Sequence, residues 1–406
     1  MDPGRRLRVA IDARALAERP CGFRRYLEGL LPALRKADAS LETVLLTTRS
    51  APRPRGLGAS FPVVRLAGSR FTLLRPWWEI RSLPRALARS EIDVFFSTTG
   101  ALPMTSPTPA VVMIHDLAIL RVPGIQPWYY SWYWRTVYRR CRRANEILVP
   151  SLSTRRDVIE LLDIDPSRVR VVPCAAGERF RPSPPEAIAR VLTAWGIDGD
   201  YVLAVGTREP RKNLGTLVAA MARVNRDRRR AVKLVVAGGP GWGPQAFLRG
   251  CPDWVRVLGL VSDDDLVALY GGAAAFAFPS LYEGFGLPVA EAMRCGAPVV
   301  ASATSSIPEL VGDAAVLVQP TDVAGWAGAL GELLCDPTRR LELSRSARRR
   351  GEAFSWDVTA QGVAAALRAA VATSRVAAPG GVRRPRAGRA TAAGVVAAPP
   401  DPPGGG

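Results

Sequence analysis

Short β-rich runs alternate with helix-like segments along most of the 406 residues of this chain, and no other feature limits its fold as strongly. In the first half, runs rich in β-branched and apolar residues predict strands at residues 7–11, 43–47, 93–96, 110–114 and 146–149. Helix-like segments lie between several of these strands, as at 24–36 and 153–162. Alternation of this length is typical of parallel sheets covered by helices on both faces.

The same pattern begins again after a Pro-rich stretch at 181–185. The strands predicted there are residues 201–205, 233–237, 255–258, 274–278 and 297–301. The sequence therefore predicts an α/β protein with two Rossmann-like, doubly wound domains, at 1–180 and 181–354. Because ligands of such sheets bind beyond the carboxyl ends of the strands, we expect the functional site in a cleft between the two domains.

The last part of the chain divides into helices and a tail. Two further helices are predicted at 337–354 and 355–373. Our hypothesis is that the C-terminal helix, within 355–374, crosses back to the N-terminal domain. The composition of residues 375–406 changes to Ala, Gly, Pro and Arg, which cannot bury a core, so we expect a disordered tail.

Composition and charge narrow the classes of protein. The sequence has no uninterrupted apolar run of the roughly 20 residues that a membrane-spanning helix needs, and no apolar leader follows the basic N-terminus, so we expect a cytoplasmic location. Six cysteines without a C-x-x-C pair and a single histidine argue against disulfides and a metal site. The net charge of +19 lies mostly within residues 1–180 and favours phosphate-bearing ligands or an anionic surface. Because only this charge suggests it, nucleic-acid binding is not expected.

Two glutamates flank a glycine turn in the segment Phe278-Pro-Ser-Leu-Tyr-Glu-Gly-Phe-Gly-Leu-Pro-Val-Ala-Glu291. A predicted strand ends at Phe278 and a helix begins after the turn, so free backbone N–H groups and a positive dipole end face any anion bound there. Glu283 lies in the turn and Glu291 about one turn into the helix, so they can contact two parts of one extended ligand. The alternative interpretation is a tight turn with two solvated glutamates.

With its glycines and Pro288, this segment resembles the E-x7-E signature of family 4 of the retaining glycosyltransferases, and the resemblance covers nearly the whole chain. It implies the GT-B fold, in which two Rossmann-like domains face a central cleft. It also implies that Glu283 contacts the donor sugar and Glu291 the ribose of the nucleotide. The turn between them is then expected to line the donor site with Gly284, Phe285, Gly286 and Leu287.

A basic cluster, Val205-Gly-Thr-Arg-Glu-Pro-Arg-Lys-Asn-Leu214, also follows a predicted strand and precedes a helix. Arg211 and Lys212 stand at the entrance of that helix, where they can stabilise a departing diphosphate. A basic surface turn capped by Asn213 is the alternative. The resemblance implies that Lys212 contacts the donor phosphates.

His115 follows the predicted strand 110–114 and is therefore expected at the edge of the sheet that faces the cleft. A structural histidine is the alternative. The resemblance implies that His115 helps to position the donor sugar, and Asp116 is expected to orient it or to serve the acceptor side.

Two loops depart from the family pattern. After the strand glycine Gly206, many members have arginine where this chain has Thr207, and Arg208 or Arg211 is expected to substitute as a donor-binding residue.

The loop after the first strand keeps a candidate donor-binding glycine, Gly22, together with Arg25 and Tyr26. It has Arg24 where a second glycine is common. We expect this bulky cation where the backbone approaches the phosphates or the acceptor.

Aromatic and basic residues are concentrated at 128–143, which predicts one helix, and at 73–89. Aromatics beside cations suit a membrane interface or a lipid-linked acceptor, whereas the alternative is an aromatic core face with solvated arginines. Peripheral contact with the inner face of an anionic plasma membrane is therefore a hypothesis.

These motifs predict a retaining hexosyltransferase of the kind that builds cell envelope polysaccharides. It moves a mannose- or glucose-type sugar from a GDP- or UDP-linked donor to a glycan, glycolipid or small-molecule acceptor. The expected catalytic residues are His115, Lys212 and Glu283. Because no D-x-D element stands out, we expect neither a cofactor nor a metal. Two alternatives stay open: a sugar-nucleotide epimerase or phosphorylase of the same architecture, and a catalytically silent subunit that binds donor or polysaccharide.

Overall fold

The computed structural model describes residues 6–17, 21–49, 60–66, 78–89, 91–105, 108–122, 124, 126, 128–226, 228–241 and 251–376. Two sheets follow one another along these residues. We call the part that carries the first sheet the N-terminal half and the part that carries the second the C-terminal half.

The strands of the first sheet are β1 Leu7–Asp12, β2 Leu41–Thr48, β3 Val63–Leu66, β4 Val94–Ser97, β5 Ala110–Met113, β6 Glu146–Val149 and β7 Val169–Val171. Their order is β3-β2-β1-β4-β5-β6-β7, and every pair is parallel. All residues of β4, β5 and β6 are buried. Burial on both faces explains why these strands appear as continuous apolar runs in the sequence.

The strands of the second sheet are β8 Tyr201–Val205, β9 Lys233–Ala237, β10 Val255–Gly259, β11 Ala275–Phe278, β12 Val299–Ser302 and β13 Val316–Val318. They are parallel and lie in the order β10-β9-β8-β11-β12-β13. The winding direction reverses between β8 and β11, as it does between β1 and β4 in the first sheet. Such a reversal opens a crevice at the carboxyl ends of the strands. The prediction of two doubly wound parallel sheets is confirmed.

Helices connect the strands on both faces of each sheet. Those of the N-terminal half, together with the returning last helix, are α1 Gly22–Ala37, α2 Leu83–Arg89, α3 Ala118–Arg121, α4 Trp128–Cys141, α5 Leu152–Leu162 and α13 Trp356–Val376. Those of the C-terminal half are α6 Pro185–Ala194, α7 Leu214–Asn225, α8 Asp263–Gly272, α9 Leu287–Cys295, α10 Ile307–Val311, α11 Val323–Cys335 and α12 Pro337–Glu352. The shorter elements are 3-10 turns at Arg14–Ala17, Pro166–Arg168 and Pro210–Lys212, and a π turn at Trp78–Ser82.

The last helix, α13, packs against the N-terminal half. Its Trp356 ring lies so close to α1 that a Cβ on Gly29 would stand 2.1 Å from it. The Thr359 hydroxyl donates to the carbonyl of Pro173 at 2.6 Å, and the Arg368 guanidinium pairs with Asp38. The chain therefore returns to the first sheet after completing the second. Helix α13 includes Arg375 and Val376, which the sequence assigned to the tail, and residues 377–406 lie outside the described residues.

The two halves also meet through side chains at the cleft. Glu309 of the C-terminal half accepts hydrogen bonds from the backbone N–H groups of Leu152 and Ser153 at 2.8 and 2.9 Å. A carboxylate at this position also complements the positive end of the α5 dipole. The Tyr282 hydroxyl donates to the Asp157 carboxylate across the same interface.

Three strands were not predicted, namely β3, β7 and β13. Each lies at an edge of its sheet and is partly exposed. Within the described residues, no helix combines the length and the apolar character that crossing a membrane requires.

Candidate functional site

A cavity of about 490 Å³ lies between the carboxyl ends of the two sheets. Most of the site residues predicted from the sequence line it: Gly22, His115, Gly206, Arg211, Lys212, Glu283, Gly284, Phe285, Gly286, Leu287 and Glu291. Arg208 is not among the described lining residues, since its backbone instead pairs with the loop at Gly239 and Pro240. Thr207 does line the cavity.

Glu283 forms the centre of a buried ion cluster at the end of β11. Lys212 Nζ donates to Glu283 Oε1 at 2.6 Å, and an Arg211 terminal nitrogen lies 2.9 Å from the same oxygen. Burial by itself would raise the pKa of Glu283, but the two cations outweigh it and lower that pKa to about 2. Glu283 is therefore an ionised acceptor at any physiological pH.

A second carboxylate, Glu209, completes this cluster and was not predicted. The Arg211 guanidinium donates twice to Glu209 Oε1, at 2.6 and 3.0 Å, and also to the carbonyl of Tyr282 at 2.8 Å. Glu209 thus fixes Arg211 while Glu283 holds Lys212. Glu209 stands two residues before Arg211 in the sequence. It is only 7 % exposed, and residue spacing alone does not reveal that burial.

The glycine turn after Glu283 brings the backbones of the two halves together. A Cβ on Gly284 would lie 1.7 Å from the carbonyl oxygen of His115, so only glycine fits at this contact. Gly286 has φ +99° just before α9, a conformation that glycine adopts readily. The N-terminus of α9 therefore opens onto the cavity, where the positive end of its dipole suits an anion. In its first turn Pro288 has no N–H, and the N–H groups of Val289 and Ala290 donate to the carbonyl of Gly286.

Further glycines follow two neighbouring strands of the second sheet. Gly206, after β8, has φ +145° and packs against the Lys212 side chain. Gly238, after β9, has φ +150°, and a Cβ there would stand 1.9 Å from the carbonyl oxygen of Gly206. Gly238 and Gly239 line the cavity but were not predicted, although two glycines directly after a buried strand were a usable signal.

His115 lies on the N-terminal side of the cavity. Its Nε2 is 3.0 Å from the carbonyl oxygen of Thr98, and because a carbonyl only accepts, Nε2 carries the proton and Nδ1 is left as an acceptor. Burial lowers the pKa of His115 to about 4, although Thr98 and Asp116 act in the opposite direction. The imidazole is therefore neutral above about pH 5, which suits a hydrogen bond from a sugar hydroxyl.

The N-terminal part of α1 supports His115 from behind. The rings of Phe23 and Tyr26 pack edge-on against the imidazole, with centroid distances of 4.9 and 4.8 Å. The expectation that Arg24 intrudes on the ligand is wrong, because Arg24 Nε donates to Glu28 on the same helix at 2.7 Å and does not line the cavity.

Glu291 lies on α9, away from the Glu283 cluster. It is 3 % exposed, and burial raises its pKa to about 7, while Arg25 and Tyr270 act against that rise. Arg25 donates to Glu291 Oε1 at 2.6 Å, and the Tyr270 hydroxyl donates to Oε2 at 3.2 Å. Arg25 comes from the opposite half, a contact that nothing in the sequence predicted.

Aromatic side chains of α4 form part of the N-terminal wall of the cavity. Tyr130, Trp134 and Tyr138 line it at a spacing of four residues, which places them on one face of the helix. The amide oxygen of Gln126 is buried beside them and accepts no hydrogen bond from the described residues. An apolar wall with a few polar groups is typical of a binding site for a neutral organic ligand.

The aromatic and basic stretch at 73–89 was the second candidate for contact with a membrane. Residues 73–77 lie outside the described residues, and Trp78 is fully buried with the Arg14 guanidinium 3.8 Å above its ring. Arg14 itself forms a buried pair with Asp12 at 2.7 Å. Trp78 therefore belongs to the core and not to a membrane-facing surface.

Both halves of the chain match known glycosyltransferase families. Residues 193–350 match the family described as Glycosyl transferases group 1, and residues 21–176 match the family described as Glycosyltransferase Family 4. The chain is 34 % identical over 255 residues to O-antigen chain mannosyltransferase B of Escherichia coli, covering 61 % of this chain and 67 % of that protein. It is 38 % identical over 252 residues to D-inositol 3-phosphate glycosyltransferase of Salinispora tropica, covering 57 % and 52 %.

Solved structures are similar over almost the whole chain. Sucrose-phosphate synthase from Thermosynechococcus elongatus superposes with a TM-score of 0.73 at 20 % identity, covering 91 % of this chain and all of that one. WaaG, a glycosyltransferase of lipopolysaccharide biosynthesis, gives 0.70 at 15 % identity, covering 89 % and 99 %. Because these similarities cover almost the whole of each chain, the predicted GT-B type fold is confirmed.

Proposed function

Because the chain belongs to family 4 of the glycosyltransferases, we propose that it transfers a hexose from a nucleotide diphosphate sugar, with retention of anomeric configuration, to a glycan or lipid-linked acceptor. We favour mannose as the sugar, since the Escherichia coli relative is named a mannosyltransferase. The nucleotide sugar is a co-substrate, linked through GDP or UDP, and is consumed in each turnover.

The Glu283 cluster carries this proposal. Its carboxylate is a strong acceptor for sugar hydroxyls, and Lys212 lies 2.6 Å away beside the open N-terminus of α9. A donor whose sugar contacts Glu283 therefore has its diphosphate next to two cations and a helix dipole. Such groups stabilise negative charge as it develops on a leaving diphosphate.

The reaction then proceeds on one face of the sugar. The bond between the anomeric carbon and the diphosphate oxygen breaks, and its electron pair leaves with the nucleoside diphosphate. The acceptor hydroxyl oxygen bonds to the same face of the anomeric carbon and passes its proton to the departing phosphate. In this scheme Lys212 and Arg211 stabilise the phosphate charge, while His115 Nδ1 and Glu283 orient the sugar.

The donor is tested with a panel of GDP- and UDP-linked hexoses, first by thermal shift and then by product analysis with mannose-containing acceptors. We expect one donor to raise the melting temperature and to support transfer that EDTA does not diminish, because the two cations take the part of a metal ion. If EDTA abolishes transfer and a divalent cation restores it, the expected independence from a metal ion is contradicted. A donor that binds but is only epimerised, or is never transferred, favours the epimerase or the silent subunit.

The aromatic wall of α4 suggests the acceptor. Tyr130 and Trp134 offer flat apolar faces and Gln126 an unpaired amide oxygen, so together they suit a sugar ring with its apolar face and hydroxyl groups. We therefore infer that the acceptor ends in a sugar at this wall.

The outer face of α4 suggests where that acceptor comes from. Trp128 and Trp132 are 81 % and 67 % exposed, and Arg135 and Arg139 are exposed on the same side of the helix. Aromatic rings beside arginines are typical of helices that lie on anionic lipid surfaces. We propose that this face contacts the membrane and that the acceptor is lipid-linked.

Vesicle sedimentation tests the membrane contact. At low salt we expect the protein to sediment with phosphatidylglycerol vesicles but not with pure phosphatidylcholine, and the double variant Trp128→Ser, Trp132→Ser to bind at least about fivefold more weakly. Leu341→Ser is the matched control, because Leu341 is a 50 % exposed apolar residue on α12 of the other half. Equal sedimentation of the double variant and the wild type contradicts the proposal.

A further inference from the structure

Arg25, on α1 of the N-terminal half, reaches across the cleft to two carboxylates of the C-terminal half. One of its terminal nitrogens donates to Glu291 Oε1 at 2.6 Å, and the other donates to Asp263 Oδ1 at 2.6 Å. Its guanidinium lies 5.2 Å from the centroid of the Phe180 ring. A planar guanidinium held at three sides has one orientation, so it constrains the carboxylates that it binds.

Among the described residues, the other groups that face Glu291 supply no second positive charge. On α8 these are Tyr270, whose pKa burial raises well above its ordinary value, and the carboxylate of Asp263. On α9 itself Cys295 is near, and burial raises its pKa to about 12. Asp263 is shared between Arg25 and Arg179. Arg25 is therefore the cation in contact with Glu291.

The charge of Glu291 matters for the ligand that the family resemblance implies. The ribose of a nucleotide offers two hydroxyl donors, and an ionised carboxylate has about four lone-pair sites to accept them. Arg25 and Tyr270 occupy one site on each oxygen, so two remain for the ribose. A protonated carboxyl group loses acceptor capacity. Since burial already brings the pKa of Glu291 to about 7, losing the adjacent cation raises it further.

We propose that Arg25 is a positioning residue for the donor, which holds Glu291 ionised and oriented to accept both ribose hydroxyls. This inference rests on the proposed function, since the nucleotide ribose is taken as the ligand of Glu291. Because Arg25 belongs to the opposite half, the ribose site is complete only when the halves are as close as in this structure. Affinity for the nucleotide then depends on closure of the cleft.

Calorimetric titration of the full chain with GDP and with UDP between pH 6 and pH 9 tests this role. For the wild type we expect affinity for the preferred nucleotide to rise as pH increases through about 7, because Glu291 loses its proton. Arg25→Met is expected to bind about fivefold or more weakly at pH 7, because a rise of one unit in the pKa of Glu291 lowers its ionised fraction from about a half to about a tenth. The difference should shrink to within about threefold at pH 9, where Glu291 ionises without help.

Three further variants separate this role from a purely structural one. Arg24→Met removes the same charge from the neighbouring position, outside the cavity, and should bind like the wild type at every pH. Arg25→Lys retains a cation and should keep the pH midpoint near that of the wild type. Glu291→Gln should bind weakly with no rise through pH 7. A loss in Arg25→Met that is equal at all pH values, or no loss, overturns the inference. A wild type that binds neither GDP nor UDP contradicts the proposed function instead.

Discussion

Replacing Lys212 by methionine is expected to lower kcat/KM for transfer by about 100- to 1,000-fold, the usual effect of removing one group that stabilises developing negative charge. Methionine keeps most of the apolar stem of the side chain and removes the ammonium group, whose Nζ lies 4.8 Å from the centroid of the Phe278 ring. The fold should survive, because Glu283 keeps the Arg211 guanidinium at 2.9 Å. We expect a loss of unfolding free energy of only about 1–3 kcal/mol. Release of nucleoside diphosphate and urea unfolding measure the two effects.

Lys36→Met is the matched control for this change. Lys36 pairs with Asp357 at 3.0 Å, but its side chain is 75 % exposed, so we expect activity and stability close to those of the wild type. The double variant Lys212→Met, Glu283→Gln should be more stable than Lys212→Met alone and no more active, because it removes an incompletely paired buried charge. A Lys212→Met variant that keeps more than about a third of wild-type kcat/KM contradicts the assigned role.

Gly284→Ala is expected to reduce kcat by at least about 100-fold, although it adds a single methyl group. The new Cβ would stand 1.7 Å from the carbonyl oxygen of His115 and 2.8 Å from the Cβ of Asp116, so the backbones of the two halves must separate. A displacement of about 1 Å in a catalytic site can cost about 100-fold in rate. Overpacking should also lower the unfolding free energy by about 1–3 kcal/mol. Steady-state kinetics and thermal unfolding test both.

Gly215→Ala provides the comparison on the same half of the molecule. Gly215 lies in the first turn of α7, where an added Cβ meets no atom within 4 Å. We expect unchanged kinetics and a gain of about 0.5–1 kcal/mol, since alanine restricts the unfolded chain and favours the helix. If Gly284→Ala has wild-type kinetics, contact between Gly284 and His115 is not needed for turnover.

The inner strands were readable from the sequence, whereas three of the four edge strands, β3, β7 and β13, were not; the fourth edge strand, β10, was predicted. The strands β6, β8 and β9 have the predicted bounds, because strands buried on both faces are largely apolar; only the first residues of β6 and β9, Glu146 and Lys233, are charged. At the edges, β7 and β13 have three residues each and are partly exposed, so their composition does not differ from that of a loop. Local composition reports burial, and the edges are the places where burial is incomplete.

Most of the residues predicted for the donor site could be named in advance because they lie between the end of a strand and the first turns of the next helix. In a parallel sheet, residues at successive carboxyl ends meet, so Gly206 and Glu283 share one cavity although they are 77 residues apart. Arg25 was different, because its partner Glu291 is 266 residues away in the other half, and how the halves face each other is not encoded in either strand pattern. Arg208 was also predicted as a donor-binding residue, but it is not among the described residues that line the cavity.

The chain passes between the two halves twice, after β7 and again between α12 and α13. These two connections lie side by side, since Thr359 at the start of α13 donates to the carbonyl of Pro173 in the first connection. If one segment of chain joined the two halves, one half could bend and also rotate about that segment. Two connecting segments that lie side by side resist the rotation. We therefore expect the two halves to move relative to each other mainly by bending about one axis. A bend about this axis that closes the cleft would return the Gly284 backbone to the same carbonyl oxygen of His115.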